Sequence, residues 1–222
     1  SGFGIQTAAV AHGGDIPPAT TAVEHYNGSG WSNETSMPAT YSGQGASGTQ
    51  TSGLVFGGYG GPANPGVKTD TFEYNGSSWT SGGAMGTGRS IDQGRSSAGT
   101  QTAALGFGGY APGGARTETE EYDGTNWTAG GALVYAIRNS GAAGTSTSSI
   151  SMGGSLTVPL NTTTNSQGYD GTSWTANPAL STARRYLSGV GTGTAALASG
   201  GRPPASNATE EYNFTTNTVT AG

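Results

Sequence analysis

The chain has 222 residues, a formal net charge of −5, 42 Gly and no Cys; 32% of it is hydrophobic and 9% charged. No apolar stretch is long enough to cross a membrane, 8 Lys plus Arg are too few for electrostatic capture of nucleic acid or anionic lipid, and disulfides, thiolate nucleophiles and Cys zinc sites are absent. With 4 Trp and 10 Tyr at so mild a charge, the chain also departs from the aromatic-poor, strongly charged pattern of disordered proteins.

From the N-terminus, Ser1–Gly14 has neither the basic region nor the long apolar run of a signal peptide. The run TAAVAH reads as a short buried strand that ends on the doublet Gly13-Gly14. Downstream come Tyr26 and, five residues later, Trp31. The same order then recurs. Doublets stand at Gly57-Gly58, Gly108-Gly109, Gly153-Gly154 and Gly200-Gly201, preceded by TQTSGLVF, TQTAALGF, TSTSSISM and TGTAALAS. Tyr74, Tyr122, Tyr169 and Tyr212 follow them. Trp79, Trp127 and Trp174 repeat the five-residue offset, while the fifth copy has Asn217 there.

Between Tyr and Trp the copies read YNGSGW, YNGSSW, YDGTNW and YDGTSW. Asn-Gly or Asp-Gly between strand-like runs predicts a tight type I′ hairpin, with Tyr on the incoming strand and Trp on the outgoing one. A Gly/Ser/Ala-rich stretch before each run, such as Arg138–Thr145, supplies a fourth strand. No segment has a helical period. Four short strands per repeat predict an all-β fold, a five-bladed β-propeller of four-stranded antiparallel blades in one domain over 1–222. The approximate repeats are 1–40, 41–88, 89–137, 138–183 and 184–222, and an open solenoid is the structural rival. Ser1–Gly4 matches the end of one strand, and the chain stops at Gly222 before the next linker segment. A ring closed by its first and last strands is expected, with a fragment of a longer chain as the alternative.

The repeats resemble the kelch family: a Gly-Gly doublet, then Val23-Glu24-His25-Tyr26-Asn27, then Trp31, then Met37-Pro38-Ala39-Thr40-Tyr41, with Ala179-Leu180-Ser181-Thr182-Ala183-Arg184 in a later copy. The shortened Tyr-to-Trp turn and the low aliphatic content depart from that pattern. This variety is similar to Gly/Thr-rich kelch-like repeats of phage and bacterial surface proteins. The resemblance implies an extracellular or virion-surface location. Kelch-like copper oxidases use a Cys-modified Tyr, which this chain cannot form.

Catalytic signals are sparse, and no cofactor or metal is expected. His12 stands where other copies have Phe56, Phe107, Met152 and Ser199, a packing position. Glu24, Glu73, Glu120-Glu121 and Glu210-Glu211 recur at equivalent strand positions. That recurrence fits solvated strand faces or contacts between blades better than a glycosidase carboxylate pair. Asp123-Gly124 and Asp170-Gly171 are turn residues rather than calcium loops.

Binding signals are better. The interval from the second Gly of a doublet to the next Tyr varies, as in a scaffold carrying recognition loops. These loops hold Asp15, Tyr59, Asn64, Tyr110, Arg116 and Arg202; the connections between repeats hold Tyr41, Arg89, Arg138 and Arg184. In kelch propellers both loop sets emerge on one face. The candidate ligand-binding residues are therefore Tyr41, Tyr59, Arg89, Tyr110, Arg116, Arg138, Arg184 and Arg202, with backbone-pinning Arg residues as the plainer reading. The expected activity is non-catalytic recognition of glycans or another surface polymer, without nucleic acid or membrane insertion. The alternative is an assembly propeller contacting other virion or surface proteins, with Ile16, Pro17, Pro18, Leu156 and Leu160 as apolar loop candidates.

Overall fold

The computed structural model describes residues 1–14, 20–60, 65–91, 96–156, 161–213 and 218–222. Among them there is no helix, and every strand pairing is antiparallel. The first repeat gives β1 (Gly2–Ile5), β2 (Ala8–His12), β3 (Val23–Tyr26) and β4 (Trp31–Glu34), hydrogen-bonded in that order. The second gives β5 (Tyr41–Ser42), β6 (Gly45–Thr49), β7 (Ser52–Phe56), β8 (Tyr59–Gly60), β9 (Gly66–Val67), β10 (Thr71–Tyr74) and β11 (Trp79–Ser81). Here β6-β7-β10-β11 form the four-stranded sheet, and β5-β8-β9 form a small one beside it. The third repeat has β12 (Ser97–Thr100), β13 (Ala103–Phe107), β16 (Thr119–Tyr122) and β17 (Trp127–Ala129), with a two-stranded β14 (Tyr110–Ala111) and β15 (Gly114–Ala115) in its loop. The fourth is β18 (Gly141–Thr145), β19 (Ser148–Met152), β20 (Ser166–Tyr169) and β21 (Trp174–Asn177). The fifth is β22 (Ser188–Gly191), β23 (Ala195–Ser199), β24 (Thr209–Asn213) and β25 (Thr218–Ala221).

The described residues thus form seven sheets, not the five expected, because the loops after the second and third doublets pair with themselves and with the linker. Nor do the sheets close into a ring. β1, β6, β12, β18 and β22 each pack beside the next, but β22 has no comparable packing against β1.

The core lies between sheets rather than within them, in four clusters. Val10, Val23, Met37, Val55, Phe72 and Tyr74 fill the first interval. Leu54, Phe56, Met85, Ile91, Ala104 and Tyr122 fill the second. Leu105, Phe107, Leu133, Ile137, Tyr169 and Trp174 fill the third, and Ile150, Met152, Leu180, Leu187 and Tyr212 are prominent in the fourth. Met37, Met85, Leu133 and Leu180 come from the segments that leave each sheet, so each connection plugs the core it crosses. Phe56 and Phe107 meet Trp127 and Trp174 of the following sheets at centroid distances of 4.6 and 4.8 Å. Such pairs add about 0.5–1.5 kcal/mol beyond the area they bury. This is how a chain with few aliphatic residues holds a core.

The Tyr-to-Trp turns correct the expected type I′ hairpin. Tyr26 pairs with Trp31, so four residues rather than two connect the strands. Gly28, Gly76, Gly124 and Gly171 take positive φ, while the Asn or Asp before each does not. Its side chain acts instead: Asp123 Oδ1 accepts the Thr125 and Asn126 N–H groups at 2.8 and 2.7 Å. Asn27 Oδ1 does the same with Ser29 and Gly30. An acceptor two residues ahead of free backbone donors closes the turn, which explains why Asp and Asn interchange there. The backbone hydrogen bonds hold the Asp123 and Asp170 carboxyls below the usual range.

Candidate binding face

The doublets organise the loop end of the molecule. A Cβ on Gly108 would lie 2.6 Å from the Ile137 carbonyl, and one on Gly109 2.1 Å from the Ser90 carbonyl. The second, third and fourth doublets are each clamped between the linker that enters the repeat and the linker that leaves it, and no side chain fits there. Gly58, Gly109 and Gly154 donate their N–H to the outgoing linkers at Arg89, Ile137 and Arg184. Their carbonyls accept from Lys68, Arg116 and Thr163, where the loops return. Loops of different length thus start and finish on one fixed backbone frame.

The residue after each of the second to fifth doublets pairs with the incoming linker. Tyr59 pairs with Ser42, Tyr110 with Ser90, Ser155 with Arg138 and Arg202 with Arg185. The two loop sets chosen from the sequence are brought together in this tier. Tyr59 is 42% exposed. The Arg138 guanidinium lies over the Tyr110 ring at 4.7 Å. Arg202 and Arg185 lie over Tyr186 at 4.4 and 5.5 Å, and Lys68 lies 5.7 Å from the Tyr41 ring. Arg116 is partly exposed and paired with Glu118. Burial, with a hydrogen bond donated to Asp70, pushes the Tyr41 hydroxyl up to about 12. Asp15, Ile16, Pro17, Pro18, Asn64, Leu160 and Asn217 lie outside the described residues; Leu156 is half-buried.

Two of the chosen residues sit elsewhere. Arg89 is 0% exposed; it bonds to Glu120 and donates to the carbonyls of Thr87 and Gly106. Arg184 bonds to Glu210 at 2.8 Å and to the carbonyls of Gly200 and Ala208. The structural counterparts of these two arginines are Tyr41 and Ile137, each delivering its carbonyl toward a doublet. Arg138, one residue later than Ile137, points to the outer tier instead. The chemistry at this inner position matches the strand it meets: Arg89 with Glu120, Arg184 with Glu210, Tyr41 with Phe72 at a centroid distance of 6.3 Å. A buried ion pair gives register more than stability.

Two further carboxylates are also engaged. Glu73 accepts the Tyr122 hydroxyl at 2.6 Å, and Glu121 accepts that of Tyr169. Burial, with the hydrogen-bonded acceptor carboxylates secondary, pushes both tyrosines up. Glu120 and Glu121 therefore face different partners rather than a common centre. His12 is buried between Phe3 and Trp79, with neither ring nitrogen hydrogen-bonded among the described residues. Burial, with the Ser1 amino group secondary, lowers its pKa to about 3.

Sequence reasoning missed Tyr186 and Arg185. The run Arg184-Arg185-Tyr186 was visible, but only the fold shows that Arg184 turns inward and Arg185 outward. No family model matches the chain, and no curated protein matches it.

Proposed function

We propose that the chain is a non-catalytic recognition module, built from five kelch-like four-stranded sheets and displayed on a virion tail or cell surface. Its outer loop tier binds glycans or another surface polymer. The observation that carries this reading is the recurrence of a tyrosine ring beside a cation at three junctions of the tier: Tyr41 with Lys68, Tyr110 with Arg138, and Tyr186 with Arg185 and Arg202. A tyrosine ring offers an apolar face to a sugar, and a guanidinium offers planar, multiple donors to its hydroxyls or carboxylates. The contact set in this reading is Tyr41, Tyr59, Tyr110, Arg116, Arg138 and Arg202, joined by Arg185 and Tyr186. Arg89 and Arg184, held inside, maintain the frame. Several weak sites on one face gain strength on a repetitive polymer.

A glycan and polysaccharide array probed with the purified chain tests this, with Tyr59→Ala and Tyr110→Ala beside it. Binding weakened by both substitutions supports the reading, and no binding to any glycan refutes it. An assembly role is the second reading, and the exposed Trp31, Ile5 and Val190 favour it, at 54%, 65% and 57% exposure.

A further inference from the structure

The same hydrogen bonds recur from one sheet to the next, always with the donor on the later sheet. Tyr122 donates its hydroxyl to Glu73 and Tyr169 donates to Glu121, while Tyr74 meets His25 Nε2 at 3.0 Å. The indoles of Trp127 and Trp174 donate to Thr71 and Thr119, both at 2.9 Å, and that of Trp79 donates to the Thr35 carbonyl. Gln50 Nε2 reaches the carbonyls of Ala9 and Tyr26; Gln101 Nε2 reaches those of Gly53 and Tyr74.

The first sheet carries the donor side of this pattern with no sheet before it. Gln6, Tyr26 and Trp31 occupy the three donor positions; Gln6 and Trp31 are exposed and Tyr26 is half-buried. The fifth sheet carries the acceptor side with no sheet after it. Thr209 stands where Thr71 and Thr119 stand, Glu211 where Glu73 and Glu121 stand, and the paired residues Ala196 and Tyr212 supply the two carbonyls. A groove of about 520 Å³ opens there, lined by Val190, Ala196, Leu197, Glu211 and Tyr212 among others. Leu197 is only half-buried, although its counterparts Leu54, Leu105 and Ile150 are fully buried. The two faces are unlike each other and mutually complementary, and β22 has no packing against β1 comparable to that between successive sheets.

We propose that the fifth-sheet groove binds the first-sheet face of a second copy of this chain, head to tail. The contact repeats the donor set that joins the second sheet to the first and the third sheet to the second: Gln6 enters the groove, Tyr26 donates to Glu211, and Trp31 covers Thr209. Because donor and acceptor faces differ, the association is heterologous and leaves one free face at each end of a dimer. It therefore continues beyond two copies, giving a larger ring or a filament.

The test uses two variants at exposed positions, where folding is spared. Trp31→Arg blocks the head, and Val190→Arg blocks the tail. Sedimentation velocity over a concentration series, with circular dichroism as the folding control, is read for the wild type, each variant and their mixture. The wild type is expected to grow past dimers as concentration rises. Each variant alone associates at least about tenfold more weakly, as for loss of a central interface anchor. The mixture gives a 1:1 heterodimer that grows no further, because the open tail of one variant takes the open head of the other and only the two blocked faces remain. A wild type that stays monomeric at every concentration overturns the proposal, whether the faces stay solvated or close on each other within one chain. Variants that associate as the wild type does, or a mixture with no heterodimer, overturn it equally.

Discussion

His12→Phe is the most informative single perturbation. His12 takes the place that Phe56 and Phe107 fill in the next two sheets, facing the tryptophan of the sheet that follows. It is 2% exposed, and its ring nitrogens find no partner among the described residues. Burial holds it neutral down to about pH 3 in the native state, against 6.5 for a free imidazole. Below pH 6.5 the unfolded chain therefore binds a proton that the folded chain refuses. Stability is whole above 6.5 and falls as the pH drops from 6.5 toward 3, at about 1.4 kcal/mol per pH unit. By pH 5 the loss from this residue is about 2 kcal/mol. Phenylalanine removes that loss and also the unpaired ring nitrogens, which cost about 1–3 kcal/mol when buried. Urea unfolding of both proteins at pH 7 and pH 5 measures the difference, and other titrating groups cancel in the comparison. The variant is expected to be more stable at pH 7, with a gap wider by about 2 kcal/mol at pH 5. Two stabilities that fall in parallel would refute the reasoning, because His12 would then accept a proton in the folded state.

Other substitutions separate the structural devices. Arg89→Met leaves the Glu120 carboxylate buried without its cation and is expected to cost about 3–5 kcal/mol by urea unfolding, whereas Arg89→Met with Glu120→Leu recovers most of that loss. Gly109→Ala, at φ +88 with the Ser90 carbonyl in the path of the new methyl, is expected to lower Tm markedly; an unchanged Tm would mean that the linker is not held there. Tyr122→Phe forfeits its bond to Glu73 and costs about 1–2 kcal/mol. Tyr212→Phe is neutral or stabilising, because that buried hydroxyl has no partner among the described residues and the corresponding residue of the fourth sheet is Gly168; thermal unfolding of the pair compares them directly.

The repeat spacing, the strand that precedes each doublet, the Tyr and Trp strands and the absence of helix are all legible in the sequence. They depend on local backbone preference and on apolar residues recurring at a fixed period, and both survive in a one-dimensional reading. The turn type is not so legible. Asn27 and Asp123 satisfy the backbone with their side chains rather than by adopting positive φ themselves, and composition does not distinguish the two.

The arginines show the limit most sharply. Arg89, Arg138 and Arg184 lie 10 or 11 residues after a tryptophan and look alike as text. The inner position lies ten residues after each tryptophan, so Arg89 and Arg184 take it, while Arg138 stands eleven residues on and leaves it to Ile137. Whether an arginine is buried against Glu120 or laid over Tyr110 depends on which carbonyl its linker presents to a glycine doublet some 30 or more residues away, and only the tertiary structure sets that register. The ends follow the same logic. The sequence by itself determined five similar units. The packing decided that four junctions join those units while β22 has no comparable packing against β1, because sheet closure depends on the angle between successive sheets and not on any residue in one of them.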